Sequence, residues 1–324
     1  MKIGITYDLR DDYLGEGLTE EELAEFDRVD TVESIERALT KIGFETDRIG
    51  NIRSLVRRLD EGHRWDFVFN IAEGLFGYGR ESAVPALLDS WKIPYTFSDP
   101  MTLGLTLHKG MAKHVMRSLG IPTPDFAVVR GPKDLERFTL SFPVFAKPVA
   151  EGTSKGIDRG SRITDVAGLR ERCQDLLTRY LQPVLVEAYL PGREFTVGLV
   201  QDGEVSPEAL VMEISYRDPG QEKIYCFETK ENCEQLMYYF PATGLLADLC
   251  ADLARRTWAG FGLRDAARID IRLDGDGRPF VLEVNPLPGM HPEHSDLPIM
   301  WSQKGFSYEE LIGKITSSCL SRNQ

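Results

Sequence analysis

The chain has 324 residues, more than one hydrophobic core usually organises, so two or three domains are expected. A net charge of −13 argues against a nucleic-acid binder, whose affinity rests on phosphate neutralisation, and no apolar run approaches the roughly 20 residues that span a bilayer. The N-terminus turns acidic too soon for a signal peptide, and five scattered cysteines without a CxxC pair fit free thiols rather than a zinc site, so a soluble cytoplasmic protein is expected.

The first hundred or so residues alternate strand and helix. "KIGITY" is a short apolar run, and the acidic stretch after it, "DDYLGEGLTEEELAEFD", reads as a solvated loop or helix face. Val29, Val32, Ile35, Leu39 and Ile42 recur at helical spacing, and Asp30 with Glu33 has the form of a capping box. "FETDRI" and "DFVFNIA" are strands with "IRSLVRRLDEG" helical between them. This rhythm predicts a doubly wound parallel sheet in an α/β domain, and no GxGxxG fingerprint supports dinucleotide binding.

Beyond "IPYTFSDPMTL" the rhythm changes. "HKGMAKHVMRSLG" is a helix stopped by Gly120, with Pro122 just beyond. Strands ("DFAVV", "FPVFAKPV"), a helix near 165–181 and further strands ("PVLVEAYL", "EFTVGLV", "ALVMEI") follow, a mixture expected of α+β domains. The polar stretch from "SYRDPGQ" to "ENCEQ" is long for a loop. A helix over 245–261, two strands and a C-terminal helix complete the chain. The expected divisions are 1–105, 106–192 and 193–324.

The last two strands, "ARIDIRL" and "PFVLEVN", are joined by "DGDG", a strong hairpin turn. Successive side chains alternate faces, so Glu283 and Asn285 share one side, and normal pairing brings Asp270 to the same surface. Two carboxylates and an amide oxygen suit a hard cation with phosphate oxygens completing its shell. The plainer reading is an Arg268–Glu283 ion pair on a wet sheet face. In "FAKPVAEGTSKGI", Lys147 ends an apolar run before a loop of Gly152, Thr153, Ser154 and Gly156, whose N–H and hydroxyl groups can cradle phosphates, although such clusters are mostly plain turns. Lys109 heads its helix and reads alone as a surface residue. Glu187 and Glu194 flank "YLPG" and fit either a purine and ribose site or a hairpin with two solvated glutamates.

In order along the chain, Lys109, "FAKPVAEGTSKGI", "VEAYLPGREFTV", "ARIDIRLD" and "LEVNPLPG" resemble the ATP-grasp superfamily, and within it the D-alanine–D-alanine ligase family. The resemblance runs from "FNIAEG" at residue 69 almost to the C-terminus. It implies a three-domain ATP-grasp fold and an ATP-dependent ligase that makes a peptide bond through an acyl phosphate. Its cofactors would be ATP with two Mg²⁺ ions, Mn²⁺ being an alternative, its partners small amino-acid substrates, and its assembly a homodimer.

Carried over residue by residue, the resemblance places Lys109 and Lys147 on the ATP phosphates, with Thr153 and Ser154 in a lid over them. Glu187 would lie near the adenine amine, Leu190 would offer a backbone N–H, and Glu194 would hold the ribose. Asp270, Glu283 and Asn285 would hold the metal ions. Arg268 and the Gly289 N–H would steady the acyl oxygen, Ser295 would receive the second substrate's carboxylate, and Lys230 would sit in a mobile loop closing on the γ-phosphate.

The chain departs from the family pattern at three points. The serine- and glutamate-bearing loop after the first strand has no counterpart in "TYDLRDDYLGEG", Glu73 stands where a histidine is common, and Glu231 follows Lys230 where a tyrosine is expected. All three lie around the first substrate, where Glu73 could bind an ammonium. Ligation of D-alanine and ligation of other amino acids or small carboxylates therefore both stand, and an ATP-binding regulatory protein is the alternative from another class.

Overall fold

The computed structural model describes residues 1–216 and 237–323, without the side chains of 216, 237 and 238, and builds them around three sheets. The first is parallel, with order β2-β1-β3, from β1 (Lys2–Thr6), β2 (Glu45–Gly50) and β3 (Phe67–Asn70). Residues 3–6 and 67–70 are buried without alternation, as expected of parallel strands covered on both faces. Helix α1 (Val29–Ile42) covers one face, and α2 (Ile52–Asp60) and α3 (Ala83–Ser90) cover the other.

The second sheet is antiparallel, with order β4-β7-β5-β6, from β4 (Phe126–Val129), β5 (Val144–Pro148), β6 (Arg162–Ile163) and β7 (Val184–Ala188). Helices α4 (Pro100–Leu107) and α5 (Lys109–Ser118) lead into it; α6 (Pro132–Leu135) and α7 (Val166–Tyr180) pack on it. The third sheet is also antiparallel. Its order is β10-β9-β8-β11-β12, from β8 (Glu194–Val200), β9 (Glu208–Tyr216), β10 (Met237–Pro241), β11 (Ala266–Leu273) and β12 (Pro279–Asn285). Helix α8 (Leu245–Phe261) backs this sheet. The chain closes with α9 (Asp296–Gln303) and α10 (Tyr308–Arg322).

One core joins the ends of the chain, with Ile3, Ile5, Val32 and Ile35 meeting Leu311, Ile312 and Ile315 of α10. Buried Asp265 fastens the same junction by accepting from the Phe97 N–H at 2.7 Å and pairing with Arg322.

Most expected elements form where the sequence places them, and three local features differ. Arg28, not Asp30, is the N-cap of α1; Asp30 instead lies 3.2 Å from Arg28 Nη2 and 3.3 Å from His291 Nε2. Helices α3 and α4 occupy residues without an expected helix. The α4 sequence "PMTLGLTL" is apolar all round, so it carries no amphipathic period, but Asp99 caps it by accepting from the Thr102 N–H, with Pro100 in its first turn. The acidic stretch after β1 is only partly solvated, since Glu21 and Glu25 are drawn into contacts with the second sheet's unit. Cys173, Cys250 and Cys319 are free and buried; Cys226 and Cys233 lie outside the described residues.

Candidate active site

Two cavities open between the sheets. One, about 140 Å³, lies under the 151–157 loop and against Glu187, Leu190 and Glu194. The other, about 440 Å³, reaches from the first domain to the 286–296 segment. They meet along Lys109, Gly152, Thr153, Arg268, Glu283 and Asn285, which line both.

Strands β5 and β7 pair with Phe145 opposite Glu187 and Lys147 opposite Leu185, so Lys147 and Glu187 project to the same side of that sheet. Their charged ends meet: Lys147 Nζ lies 2.9 Å from Glu187 Oε1, and Lys113 Nζ, on α5, lies 2.8 Å from Oε2. Burial works against the Glu187 carboxylate, but the two ammonium groups outweigh it and pull its pKa down to about 2. Burial likewise opposes charge on Lys147, yet Glu187 and Glu283 hold its pKa above the ordinary value. Lys113 carries no exposed side-chain surface, and there burial wins and lowers its pKa. The solvated-hairpin reading of Glu187 and Glu194 is thus set aside, as both line the smaller cavity, Glu187 buried and the Glu194 side chain only 12% exposed. Glu194 Oε2 lies 3.3 Å from Arg272 Nη1 without a directed hydrogen bond, which leaves it an acceptor to spare for a hydroxyl. Leu190 lines the same cavity.

The hairpin pairs as expected across the site, with Asp270 opposite Glu283 and Arg268 opposite Asn285. A bulge just past Asp270 adds Leu282 to β12 and puts it in the smaller cavity beside Glu283. Asp270 accepts from Thr196 Oγ1 at 2.9 Å and from Asn285 Nδ2 at 3.1 Å. Arg268 pairs with Asp270 at 3.1 Å and with Asp296 at 3.0 Å, while Glu283 takes Lys109 Nζ at 2.9 Å; the Arg268–Glu283 pair does not form. Lys109 is 5% exposed and also donates to the Glu151 carbonyl at 2.5 Å, so it is no surface residue. The Asp270 and Glu283 carboxylates and the Asn285 amide present oxygen donors from adjacent strands, a set that fits a hard divalent cation. Among the described residues no three His, Cys, Asp or Glu side chains gather around a point, in keeping with an ion that takes one or two carboxylates and completes its shell with phosphate and water.

In the 151–157 loop Thr153 and Ser154 both take left-handed backbone, φ +49° and +56°. For a β-branched residue such as Thr153 this conformation is strained and is found mostly where function demands it. In the larger cavity Ser295 Oγ accepts from the His291 N–H at 2.9 Å, and a Cβ at Gly289 would lie 2.7 Å from that oxygen, so glycine there keeps the turn close to Ser295. Glu73 and Glu81 line the opposite domain's share of this cavity. Lys230 and Glu231 lie outside the described residues.

Residues 115–317 match the family profile described as D-ala D-ala ligase C-terminus. The chain belongs to the D-alanine–D-alanine ligase family. It is 32% identical over 287 residues to the D-alanine–D-alanine ligase of Xylella fastidiosa, covering 86% of this chain and 89% of that one. The D-alanine–D-alanine ligase of Aquifex aeolicus is 32% identical over 286 residues, 88% of this chain and 93% of its own. An uncharacterized protein, y4sG, of Sinorhizobium fredii is 35% identical over 87% of this chain and 85% of that one. Among solved structures, D-alanine–D-alanine ligase from Bacillus anthracis superposes with a TM-score of 0.76 at 22% identity, covering 100% of this chain and 98% of that one. The same protein complexed with ATP gives 0.75 at 21% identity, and both likenesses establish the ATP-grasp fold.

The D-alanine–D-alanine ligase profile begins at residue 115, so the acidic segment before α1 lies outside its match, and sequence reasoning gave that segment too small a part. Glu25 accepts from the Gly152 N–H at 2.6 Å and pairs with Lys155 at 3.2 Å and Arg80 at 2.9 Å, tying the 151–157 loop to the segment before α1. A Cβ on Gly152 would stand 2.8 Å from Glu25 Oε1, which explains the glycine. Opposing its burial, these cations lower the Glu25 pKa. Glu21 adds bonds from Tyr180 at 2.5 Å and Arg179 at 2.8 Å. In Glu25→Ala, amide exchange of residues 150–157 without nucleotide should quicken by about tenfold, the loss of roughly 1.4 kcal/mol of local protection. Unchanged exchange there would show that Glu25 does not hold this loop. Lys113, Arg80, Glu81, Arg272 and Asp296 were also missed, and of these Lys113 had a signal, standing four residues beyond Lys109 on one helix face.

Proposed function

We propose that this chain is an ATP-dependent carboxylate–amine ligase of the D-alanine–D-alanine type. The observation that carries the reading is the junction of the two cavities. A nucleotide in the smaller cavity would bring its γ-phosphate to Lys109, Thr153, Glu283 and Asn285, where a carboxylate in the larger cavity also arrives. The carboxylate oxygen attacks the γ-phosphorus as the β–γ bridging bond breaks, giving ADP and an acyl phosphate. The amine nitrogen then attacks the acyl carbon, phosphate leaves, and the amine's proton is lost. Mg²⁺ held by Asp270, Glu283 and Asn285 would offset the phosphate charge as the bridging bond breaks.

Lys109 and Lys147 then serve as phosphate cations, and Thr153 and Ser154 as lid donors. Glu187 and Leu190 would face the adenine and Glu194 the ribose. Arg268 and the Gly289 N–H would meet the charge that grows on the acyl oxygen, with fixed donors lowering that barrier. Ser295 would receive the second substrate's carboxylate, Glu73 the first substrate's ammonium, and Lys230 the γ-phosphate. The same proposal includes three units, 1–105, 106–192 and 193–324, each carrying one of the three sheets, and a homodimer. No helix among the described residues is long and apolar enough to cross a membrane, in keeping with a cytoplasmic ligase.

Incubation with ATP, Mg²⁺ and amino acids should release one phosphate and one ADP per dipeptide formed, with hydroxylamine trapping the acyl phosphate as a hydroxamate. D-alanine alone should support the reaction. ATP binding without amino-acid-dependent phosphate release from any pair would sink the ligase reading.

A further inference from the structure

Among the described residues that line the larger cavity, carboxylates outnumber the cations Arg10, Arg28, Lys109 and Arg268, and Arg10 donates to the Phe26 and Ala24 carbonyls. Arg28 is held by Asp30 at 3.2 Å, Lys109 by Glu283 at 2.9 Å, and Arg268 by Asp270 and Asp296. Arg80 and Lys155 both go to Glu25, whose side chain is 8% exposed, and Lys155 also to Glu151 at 2.7 Å. Each of these five cations is therefore engaged by a carboxylate other than Glu73 or Glu81.

Glu73 follows β3, and Glu81 stands two residues before α3. Neither has a hydrogen bond or ion pair with any described residue, and both line the cavity. Burial, then repulsion from Glu81 and Glu25, pushes the Glu73 carboxyl well above its ordinary value, against partial relief from Arg80. Burial also raises Glu81, to about 7, against the partial relief of Arg80. Asp27, in the same wall, is raised to about 7, with Thr31 and Arg10 opposing the rise. Two half-buried carboxylates that share Arg80's partial relief but hold no ion pair of their own among the described residues are costly in the empty protein and favour a cationic occupant. The α-ammonium of an ordinary amino acid supplies one positive charge, which leaves the second carboxylate either repelled by its neighbour or holding a proton.

We propose, resting on the ligase reading above, that the acyl-donor subsite is built for an amino acid with a second cationic group, Glu73 and Glu81 receiving its two ammonium centres. The donor is thus a diamino acid, activated at its carboxylate like any other donor. Glu81 is a specificity-determining residue that stands eight positions after Glu73 on the same wall.

The test compares diamino donors with neutral donors of matched length in phosphate release, with ATP, Mg²⁺ and D-alanine as the common acceptor. The pairs are 2,4-diaminobutyrate against norvaline, ornithine against norleucine and lysine against 2-aminoheptanoate, each as both enantiomers, with D-alanine itself as a further donor. At least one diamino acid should exceed its neutral partner tenfold or more in kcat/KM. Glu81→Gln should bring that ratio towards one, mainly through KM, and Glu73→Gln provides a second variant should the first fold poorly. Calorimetry of the preferred donor in two buffers of different ionisation enthalpy should show protons released on binding, a signature that a merely structural Glu81 would not give. Turnover with D-alanine or neutral donors at least equal to that with every diamino acid would overturn the proposal and leave the ligase intact. An equal fall for charged and neutral donors in Glu81→Gln would also overturn it. No phosphate release with any pair would remove the ligase reading, and this proposal with it.

Discussion

Asp270→Asn should slow amino-acid-dependent phosphate release by about 10³-fold, a loss of roughly 4 kcal/mol of transition-state stabilisation. The size follows from where the carboxylate stands. Asp270 and Glu283 are directly paired across β11 and β12, and both line the smaller cavity. An amide at position 270 keeps the shape and one oxygen but removes the negative charge that a divalent cation needs. Arg268 keeps its second partner, Asp296 at 3.0 Å, so the guanidinium stays in place. Thr196 Oγ1 would then accept from the new amide while the amide oxygen keeps the Asn285 bond, so the stability cost should be small, about 1 kcal/mol. Rate and stability therefore separate widely. A thermal-shift titration provides a readout apart from turnover: Mg²⁺ added with ATP should raise the melting temperature of the parent protein and do so much less in Asp270→Asn. Full turnover in the variant would remove Asp270 from the metal-binding set.

The shared face of Asp270, Glu283 and Asn285 was legible because it depends on two short-range rules. Period-two alternation puts Glu283 and Asn285 on one side, and the "DGDG" turn forces β11 and β12 together, so Asp270 follows. The bulge that brings Leu282 into the cavity was not legible, since nothing in the local sequence marks it. Lys147 and Glu187 were found as separate candidates, but their ion pair was not, because their strands are joined only in the folded sheet and the third member, Lys113, comes from a helix before both. The tie from Glu25 to the 151–157 loop was less visible still. Glu25 and Gly152 are 127 residues apart, and the acidic segment around Glu25 has the composition of solvated surface. Charge runs carry no information about which of their members a distant loop will bury. Helix α4 escaped for the opposite reason: apolar on every side, it has no period to detect, and its Asp99 cap and Pro100 start were the signals available.

The Lys113–Glu187–Lys147 trio gives the second large effect. Glu187→Gln should destabilise the protein by about 3–5 kcal/mol, because it leaves two ammonium groups, 0% and 7% exposed, without their directly paired carboxylate and with only the more distant Glu283 and Asp270 to offset them. Lys113→Met, which keeps much of the volume and leaves the 2.9 Å Lys147–Glu187 pair, should cost far less, about 1 kcal/mol. The asymmetry is the test, read as urea midpoints of the two variants. Similar losses would mean that the three groups do not act as a net-positive cluster. The pH dependence has opposite signs at its two ends. The Glu187 pKa falls from its ordinary 4.5 to about 2 on folding, so its contribution is fully present above 4.5 and is lost as pH falls through 2. Lys113 is lowered on folding, so the folded protein binds fewer protons there and stability gains as pH rises towards its ordinary 10.5. In Glu187→Gln the lysines lose the charge that kept them protonated and can shed a proton at moderate alkalinity. Its deficit relative to the parent should thus be smaller at pH 9 than at pH 7. The same trio fixes the charged end of Lys147 in the smaller cavity, so, if ATP binds there as proposed, Glu187→Gln should also weaken ATP binding, by about tenfold, or 1.4 kcal/mol. Lys113→Met retains the Lys147–Glu187 pair and should change ATP affinity much less.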